Sequence, residues 1–287
     1  MTSNAIPASS RRLAVLGWPI EHSHSPALHR AAYRVLGLPW EYSAVPAPPG
    51  SLSDFLDTLD REWLGLSLTM PMKREVLPLL TSRDALVEAT GVANTVLLRF
   101  EDGVRCIRGY NTDVHGLMAA IHRAGARRLS RVHILGGGAT AVSALAAVAR
   151  LGAGSALLAV RNPARAAEPQ RLGQRLGLAV EVCRLDELGG VPGAPDLVIS
   201  TIPNDTDARI GYPAATMAAV PLVDVAYHPW PTVVAAQWLD AGGQAVSGLE
   251  MLIHQAIAQI RIFTSGDAEL PLPREDAVLR EMRSAVE

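Results

Sequence analysis

Short apolar runs alternate along the chain with glycine- or proline-marked turns and amphipathic stretches, and the run from 131 to 152 sets the pattern. Val132, Ile134 and Leu135 are apolar and β-prone, Gly136, Gly137 and Gly138 break the run, and a proline-free, alanine-rich stretch follows from Ala139. That order predicts a buried strand, a tight turn and a helix. A second buried strand is predicted over 155–160. Ahead of this unit, strands are predicted over 13–19, 40–45 and 64–70. A helix opened by Pro26 turns Leu28, Ala32 and Leu36 toward a core, and another lies near 52–59. Helical residues near 84–89 precede a turn-to-strand passage from Gly91, a hairpin through 101–103 and a helix over 114–124. Beyond the glycine unit, 196–203 and 221–227 read as buried strands. A long apolar helix then opens near Gly248, and a charged amphipathic helix covers 274–286. The alternation argues a parallel sheet in an α/β protein.

With 287 residues, 49% of them hydrophobic, the chain is long enough for two domains with sizeable cores. No apolar run reaches the length of a membrane span. The opening residues, MTSNAIPASSRR, lack the apolar stretch of a signal peptide, so a cytoplasmic protein is expected. A formal net charge of −2 gives no electrostatic footprint for nucleic acid and leaves small polar ligands as the expected partners. Cys106 and Cys183 lie far apart without metal-ligand spacing and are expected to be buried thiols. His22, His24 and His29 have no acidic or cysteine partner at a usual ligand spacing, so no metal is expected.

Gly136, Gly138 and Ala141 fit G-x-G-x-x-A. The first glycine permits a tight turn, the second lets backbone approach a pyrophosphate, and the small third residue packs helix on strand. An ordinary strand-to-helix turn is the plainer reading of the same residues. Arg161 ends the next strand, about 20 residues on, where an acid would accept from a ribose 2′-hydroxyl. Arg161 and Arg165 instead offer cationic forks suited to a 2′-phosphate, which favours NADP over NAD; a solvated helix start accounts for them equally simply. Lys73 follows a strand ending in Thr69 and stands where open α/β sheets gather ligands, or serves as a surface lysine. Ser23 and Ser25 precede the first helix and can cap it or bind a carboxylate. Asp113 opens a helix as a cap or as site chemistry. Gln255 interrupts an apolar helix face and needs partners for its amide.

In their order, these stretches resemble the shikimate dehydrogenase family, almost from end to end. GWPIEHSHSPALH is similar to the family's G-x-P-I-x-H-S-x-S-P-x-x-H, LTMPMK to V-T-x-P-x-K, GVANTV to G-A-x-N-T, GYNTDVHG to G-x-N-T-D-x-x-G, and GLEMLIHQA to G-x-x-M-L-x-Q-x. The resemblance implies two α/β domains with a cleft between them. A substrate-binding, catalytic domain would take 1–112 and 250–287, and a Rossmann-like NADP domain 113–249, in a monomer or homodimer. It implies that Lys73 and Asp113 form the catalytic pair, that Ser23, Ser25 and Tyr227 hold a substrate carboxylate, and that Thr69, Asn94, Asp113 and Gln255 meet ring hydroxyls. Ser67 stands where the family usually has an Asn facing substrate, so a shorter hydroxyl is expected to take over that substrate contact. Cofactor contacts are implied at Gly136, Gly137, Gly138, Ala139, Thr140, Arg161, Arg165, Thr201, Val225 and Gly248. The glycine turn reads GGGAT rather than GAGGA, the next loop Val160-Arg161-Asn162 rather than N-R-T, and Asn204-Asp205 replaces a glycine common after the T-x-P turn. The implied activity is reversible NADPH-dependent reduction of 3-dehydroshikimate to shikimate in aromatic amino-acid biosynthesis. The alternatives are an enzyme acting mainly on quinate, for which Thr rather than Ser25 is expected, and a non-catalytic NADP-binding regulator.

Overall fold

The computed structural model describes residues 10–126, 129–203 and 208–286. Two compact units emerge, one made of 1–112 with 253–287 and the other of 113–252. The first opens with β1 (Arg11–Gly17), α1 (Ser25–Leu36), β2 (Trp40–Pro46), α2 (Leu52–Asp57), β3 (Trp63–Leu68) and α3 (Met72–Glu75). It continues with β4 (Ser82–Arg83), α4 (Ala85–Thr90), β5 (Thr95–Glu101) and β6 (Val104–Tyr110). The second contains α5 (Asp113–Arg123), β7 (Arg131–Leu135), α6 (Ala139–Arg150), β8 (Ser155–Val160), α7 (Ala167–Leu176) and β9 (Ala179–Arg184). After these come β10 (Leu197–Ser200), α8 (Ala214–Ala219), β11 (Leu222–Asp224), α9 (Val233–Asp240) and β12 (Ala245–Ser247). Helix α10 (Leu249–Ser265) carries the chain back into the first unit, and α11 (Glu275–Ser284) follows.

The sheet of the second unit has the order β12-β11-β10-β7-β8-β9 and is parallel throughout. Numbered within the unit, this is the 3-2-1-4-5-6 arrangement of doubly wound folds, with its switch point between β7 and β10. Leu135, Leu157, Val198, Leu222 and Trp238 belong to its core. The first sheet, ordered β2-β1-β3-β5-β6-β4, corrects the expectation of parallel strands: β1 pairs in parallel with β2 and β3, but β5 runs antiparallel to β3 and β6. The second reversal is local: Asp102 and Gly103 both have positive φ, the geometry of a two-residue hairpin turn, so β6 doubles back on β5 instead of crossing over, whereas β5 is reversed against β3 by the passage through α3, β4 and α4.

Other expectations shift at the edges. Leu28 and Ala32 are buried on α1, but Leu36, on its last turn, is only half-buried. The strands expected over 196–203 and 221–227 stop at Ser200 and Asp224, and their remaining residues become loop. Cys106 and Cys183 are free and half-buried rather than buried. Cys183 lies on β9, which ends its sheet and has a neighbour on one side only.

Helix α10 docks on the first sheet because β3 carries a glycine where they meet. A Cβ at Gly65 would strike the Phe263 ring and the Val96 carbonyl. Gly65→Ala is therefore expected to destabilise the protein by about 1–3 kcal/mol through overpacking, read from urea unfolding. An unchanged midpoint would show that the ring moves aside at no cost.

Candidate active site

In the first unit, polar side chains collect where β3 ends and β5 begins. Leu68 N–H donates to the Asn94 carbonyl (2.7 Å), Asn94 N–H to the Tyr110 carbonyl (3.0 Å) and Ala93 N–H to the Lys73 carbonyl (2.9 Å). These bonds lock α3, and with it the backbone of half-buried Lys73, against the turn that presents Asn94. Thr69 N–H donates to the Leu16 carbonyl (2.9 Å), which aligns the end of β1 with the same edge.

The Asn94 side chain is 2% exposed and hydrogen bonded at both ends of its amide. Its Oδ1 accepts from Thr112 N–H (2.8 Å) and Thr95 Oγ1 (2.9 Å). Its Nδ2 donates to Thr112 Oγ1 (2.9 Å) and Gln255 Oε1 (3.2 Å). Backbone N–H groups only donate, so the Thr112 bond fixes which end of the amide is oxygen. Asn94, Gln255 and the chain leaving β6 thus form one buried group. Ser67 takes part from below: Tyr42 Oη donates to its Oγ (2.6 Å), and that Oγ donates to Gln259 Oε1 (2.9 Å).

Ser23 and Ser25 make a local pair. Ser23 Oγ accepts from Ser25 N–H (3.3 Å), while His24 occupies the N-cap position of α1 without a side-chain cap. Ser25 is buried as the first residue of the helix, so neither serine is the N-cap. Pro26 stands near the helix start as expected.

In the second unit the glycine turn sits at the switch point. Gly136 has φ +107°, and a Cβ there would strike Thr201 Oγ1. Thr201 donates to the Leu135 carbonyl from both its N–H (2.8 Å) and its Oγ1 (2.9 Å). Gly138 opens α6 with exposed backbone, and a Cβ there would meet open space. Bare backbone, the first-turn residues Ala139 and Thr140 and a helix N-terminus fit a pyrophosphate. Arg161 is exposed just past β8, where Asn162 Oδ1 accepts from Ala164 N–H (3.1 Å) and shapes the loop. The side chain of Arg165 and the pair Asn204-Asp205 lie outside the described residues. Asp113 is buried as the first residue of α5.

Val225, Tyr227 and Gly248 share one corner of this unit. Val225 N–H donates to the Ser200 carbonyl (2.9 Å) and Gly248 N–H to the Ala226 carbonyl (3.1 Å). Asp224 staples the loop between them: its carboxylate accepts from Ala226 N–H (3.2 Å) and Thr232 Oγ1 (2.5 Å), and Thr232 Oγ1 in turn accepts from Ala235 N–H (2.9 Å) to cap α9. Burial raises the Asp224 carboxyl above its ordinary range, while the bond from Thr232 pulls the other way. The sequence signal was present in Thr232 ahead of an apolar helical run, but Asp224 reads as an ordinary strand end.

Sequence reasoning also missed Gln259 and the environment of His29. His29 is fully buried, stacked on Tyr42 (3.8 Å between centroids), and hydrogen bonded to Gln259 Oε1 through Nε2 (3.1 Å) and to Tyr33 Oη through Nδ1 (3.1 Å). The i,i+4 spacing of Gln255 and Gln259 on one helix was the available clue.

A doubly wound parallel sheet with a glycine turn at its switch point, joined to a second α/β unit carrying buried amides and a lysine at a strand's carboxyl end, has the build of a dinucleotide-dependent dehydrogenase. Residues 15–96 match the family model for the shikimate dehydrogenase substrate binding domain. The shikimate dehydrogenase (NADP(+)) of Moorella thermoacetica is 33% identical over 295 residues, 98% of this chain and 96% of the relative. Among solved structures, shikimate dehydrogenase of Mycobacterium tuberculosis superposes with a TM-score of 0.82 at 37% identity, over 96% of this chain and 99% of the other. The Thermus thermophilus enzyme in complex with NADP(H) and shikimate superposes with a TM-score of 0.77 at 27% identity, over 96% and 100%. The chain belongs to the shikimate dehydrogenase family.

Burial holds the His29 imidazole neutral, lowering its pKa to about 3 against a smaller opposing effect of the Gln259 bond. A depressed pKa stabilises the fold fully above the unfolded value of about 6.5, and the contribution is lost as pH falls from there toward about 3. Unfolding free energy measured from pH 7 to pH 4 should therefore fall less steeply in His29→Gln than in the unaltered protein. Parallel pH profiles would show that His29 does not carry this dependence.

Proposed function

We propose that the protein catalyses reversible reduction of 3-dehydroshikimate to shikimate with NADPH. The observation that carries the reading is the anchoring of Lys73 beside the buried Asn94 and Gln255 amides at the end of β3. The family's curated members support it. NADPH, when bound, supplies a hydride to the ketone carbon and leaves as NADP. As that carbon gains a C–H bond, the C=O pair moves onto oxygen. The Lys73 ammonium stabilises the developing charge and donates the proton that completes the hydroxyl. Asp113, the other member of the catalytic pair, orients Lys73. Ser23, Ser25 and Tyr227 hold the ring carboxylate, and Thr69, Asn94, Asp113 and Gln255 meet the ring hydroxyls. Ser67 supports this group from below. Gly136 to Thr140 and Thr201 receive the pyrophosphate side of the cofactor, Arg161 and Arg165 its 2′-phosphate, and Val225 and Gly248 its nicotinamide.

Lys73→Ala should lower kcat for dehydroshikimate by roughly 10²–10⁴-fold, the range for a positioned acid–base group, while shikimate binding measured by calorimetry persists. Turnover within a few-fold of the unaltered enzyme would remove Lys73 from the chemistry.

NADPH should be preferred over NADH, and Arg161→Ala should narrow the difference. A charge-assisted hydrogen bond contributes about 1.5–3 kcal/mol, so the narrowing is on the order of 10- to 100-fold in kcat/KM. Equal use of the two cofactors by the unaltered protein would sink the assignment of Arg161.

A further inference from the structure

Gln259 lies one helical turn beyond Gln255 on α10, is 1% exposed, and uses both ends of its amide. Its Nε2 donates to Thr95 Oγ1 (3.1 Å) and to the Asn94 backbone carbonyl (3.4 Å). A carbonyl only accepts, so the nitrogen end must face β5. The oxygen end then receives Ser67 Oγ–H (2.9 Å) and His29 Nε2–H (3.1 Å). Neutral His29 carries its proton on Nε2 and accepts from Tyr33 Oη at Nδ1 (3.1 Å). Ser67 has given its single proton to Gln259 and accepts one from Tyr42 Oη (2.6 Å). On the other side, Thr95 Oγ1 accepts from Gln259, and its own proton goes to Asn94 Oδ1 (2.9 Å), an oxygen that can only accept, rather than to the more distant Thr112 Oγ1 (3.3 Å). That oxygen already accepts Thr112 N–H (2.8 Å). The Asn94 NH2 is consequently turned toward Thr112 Oγ1 and Gln255 Oε1. From Tyr33 to Gln255 the donors and acceptors run in one direction, with Gln259 at the junction.

We infer that Gln259 is a positioning residue for the ring acid: the Thr112 backbone N–H sets which end of the Asn94 amide is oxygen, and the Gln259 amide, bonded to the Asn94 carbonyl and to the Thr95 hydroxyl that donates to that oxygen, fixes where the Asn94 and Gln255 amides stand for substrate. This rests on the activity proposed above. Gln259 itself acts through Thr95 and Asn94. The same logic gives Ser67 a supporting task, because its hydroxyl proton is spent on Gln259.

The test compares Gln259→Met, which keeps length and removes every polar contact, with Gln259→Glu, which keeps acceptance from Ser67 and His29 but not donation to Thr95. In both, KM for dehydroshikimate should rise roughly 5- to 150-fold, the range for one buried hydrogen-bonding group left unmatched. With kcat and the KM for NADPH within about three-fold, the lost interaction is one of ring-acid binding. A role in folding alone would lower the unfolding midpoint and leave KM in place. KM within about two-fold of the unaltered enzyme, in a variant folded by circular dichroism, would overturn the inference. A second measurement needs no substitution. In the unaltered protein, nitrogen-15 spectra should show the His29 proton on Nε2, and that resonance should shift together with the Asn94 side-chain amide when shikimate is added. A proton on Nδ1, or a shift of Asn94 alone, would overturn the inference even if neither variant folds. Absence of dehydroshikimate turnover in the unaltered protein would defeat the activity instead, and the His29 tautomer would still report on the hydrogen-bond chain.

Discussion

A primary amide buried at the end of a sheet has two protons and an oxygen to satisfy without water, and the first unit is arranged around that requirement at Asn94. An unmatched buried donor or acceptor costs about 1–3 kcal/mol, comparable to a large part of a domain's net stability. Meeting it takes the hydroxyls of Thr95 and Thr112, a backbone N–H and an amide returned from α10. The return of the C-terminal helix is therefore a chemical necessity as well as a packing one. Gly65 removes the side chain that would hold α10 away, and Gln255 and Gln259 then reach the same edge. The motif lysine gains its fixed place from this arrangement, since the Ala93–Lys73 backbone bond ties α3 to the turn before Asn94.

The second unit meets a different demand by different means. A dinucleotide is long and charged, so it needs exposed backbone and a surface cation more than buried amides. Gly136 and Gly138 supply the bare backbone, and Thr201 closes the switch point by spending both its donors on the Leu135 carbonyl. The loop after β11 is not held by a regular element. It depends on Asp224, whose carboxylate satisfies the loop near Ala226 and the cap of α9 at once. A buried carboxylate with a raised pKa is costly, and hydrogen bonds to its oxygens offset that cost.

How much of this was legible follows from where each residue's partners lie. The glycine turn, the helix at Pro26 and the hairpin at Asp102-Gly103 were readable because their causes are local. Lys73 and Arg161 were singled out because strand ends mark ligand positions in α/β folds, and each does follow a strand, Lys73 on α3 after β3 and Arg161 directly after β8. Helix α7 was not predicted: Pro169 stands in its first turn, where proline is tolerated, and Gly173 interrupts it. Strand β9, an edge strand with half-exposed faces, was missed because Glu181 splits its apolar residues and Arg184 ends them, leaving no run long enough to register. Gln259 and His29 were invisible for a deeper reason. Their partners are up to 230 residues away, and nothing along the chain says that an amide late in a helix meets an imidazole near the start.

The two kinds of site also answer differently to substitution. Around Asn94 the donors and acceptors are buried and share partners, and a change at one member leaves its neighbours unmatched in a medium where polarisation couples them. Effects there should be non-additive, because removing a second member of a broken chain removes little more. Arg161 is exposed, so its interactions are screened, and changes there should add independently. On the activity proposed above, ring-acid recognition depends on a buried network that resists piecemeal change, whereas cofactor choice depends on surface charge that one substitution can alter. The change to Ser67 lies inside the buried network, where the amide of Gln259 supplies the partner its hydroxyl needs.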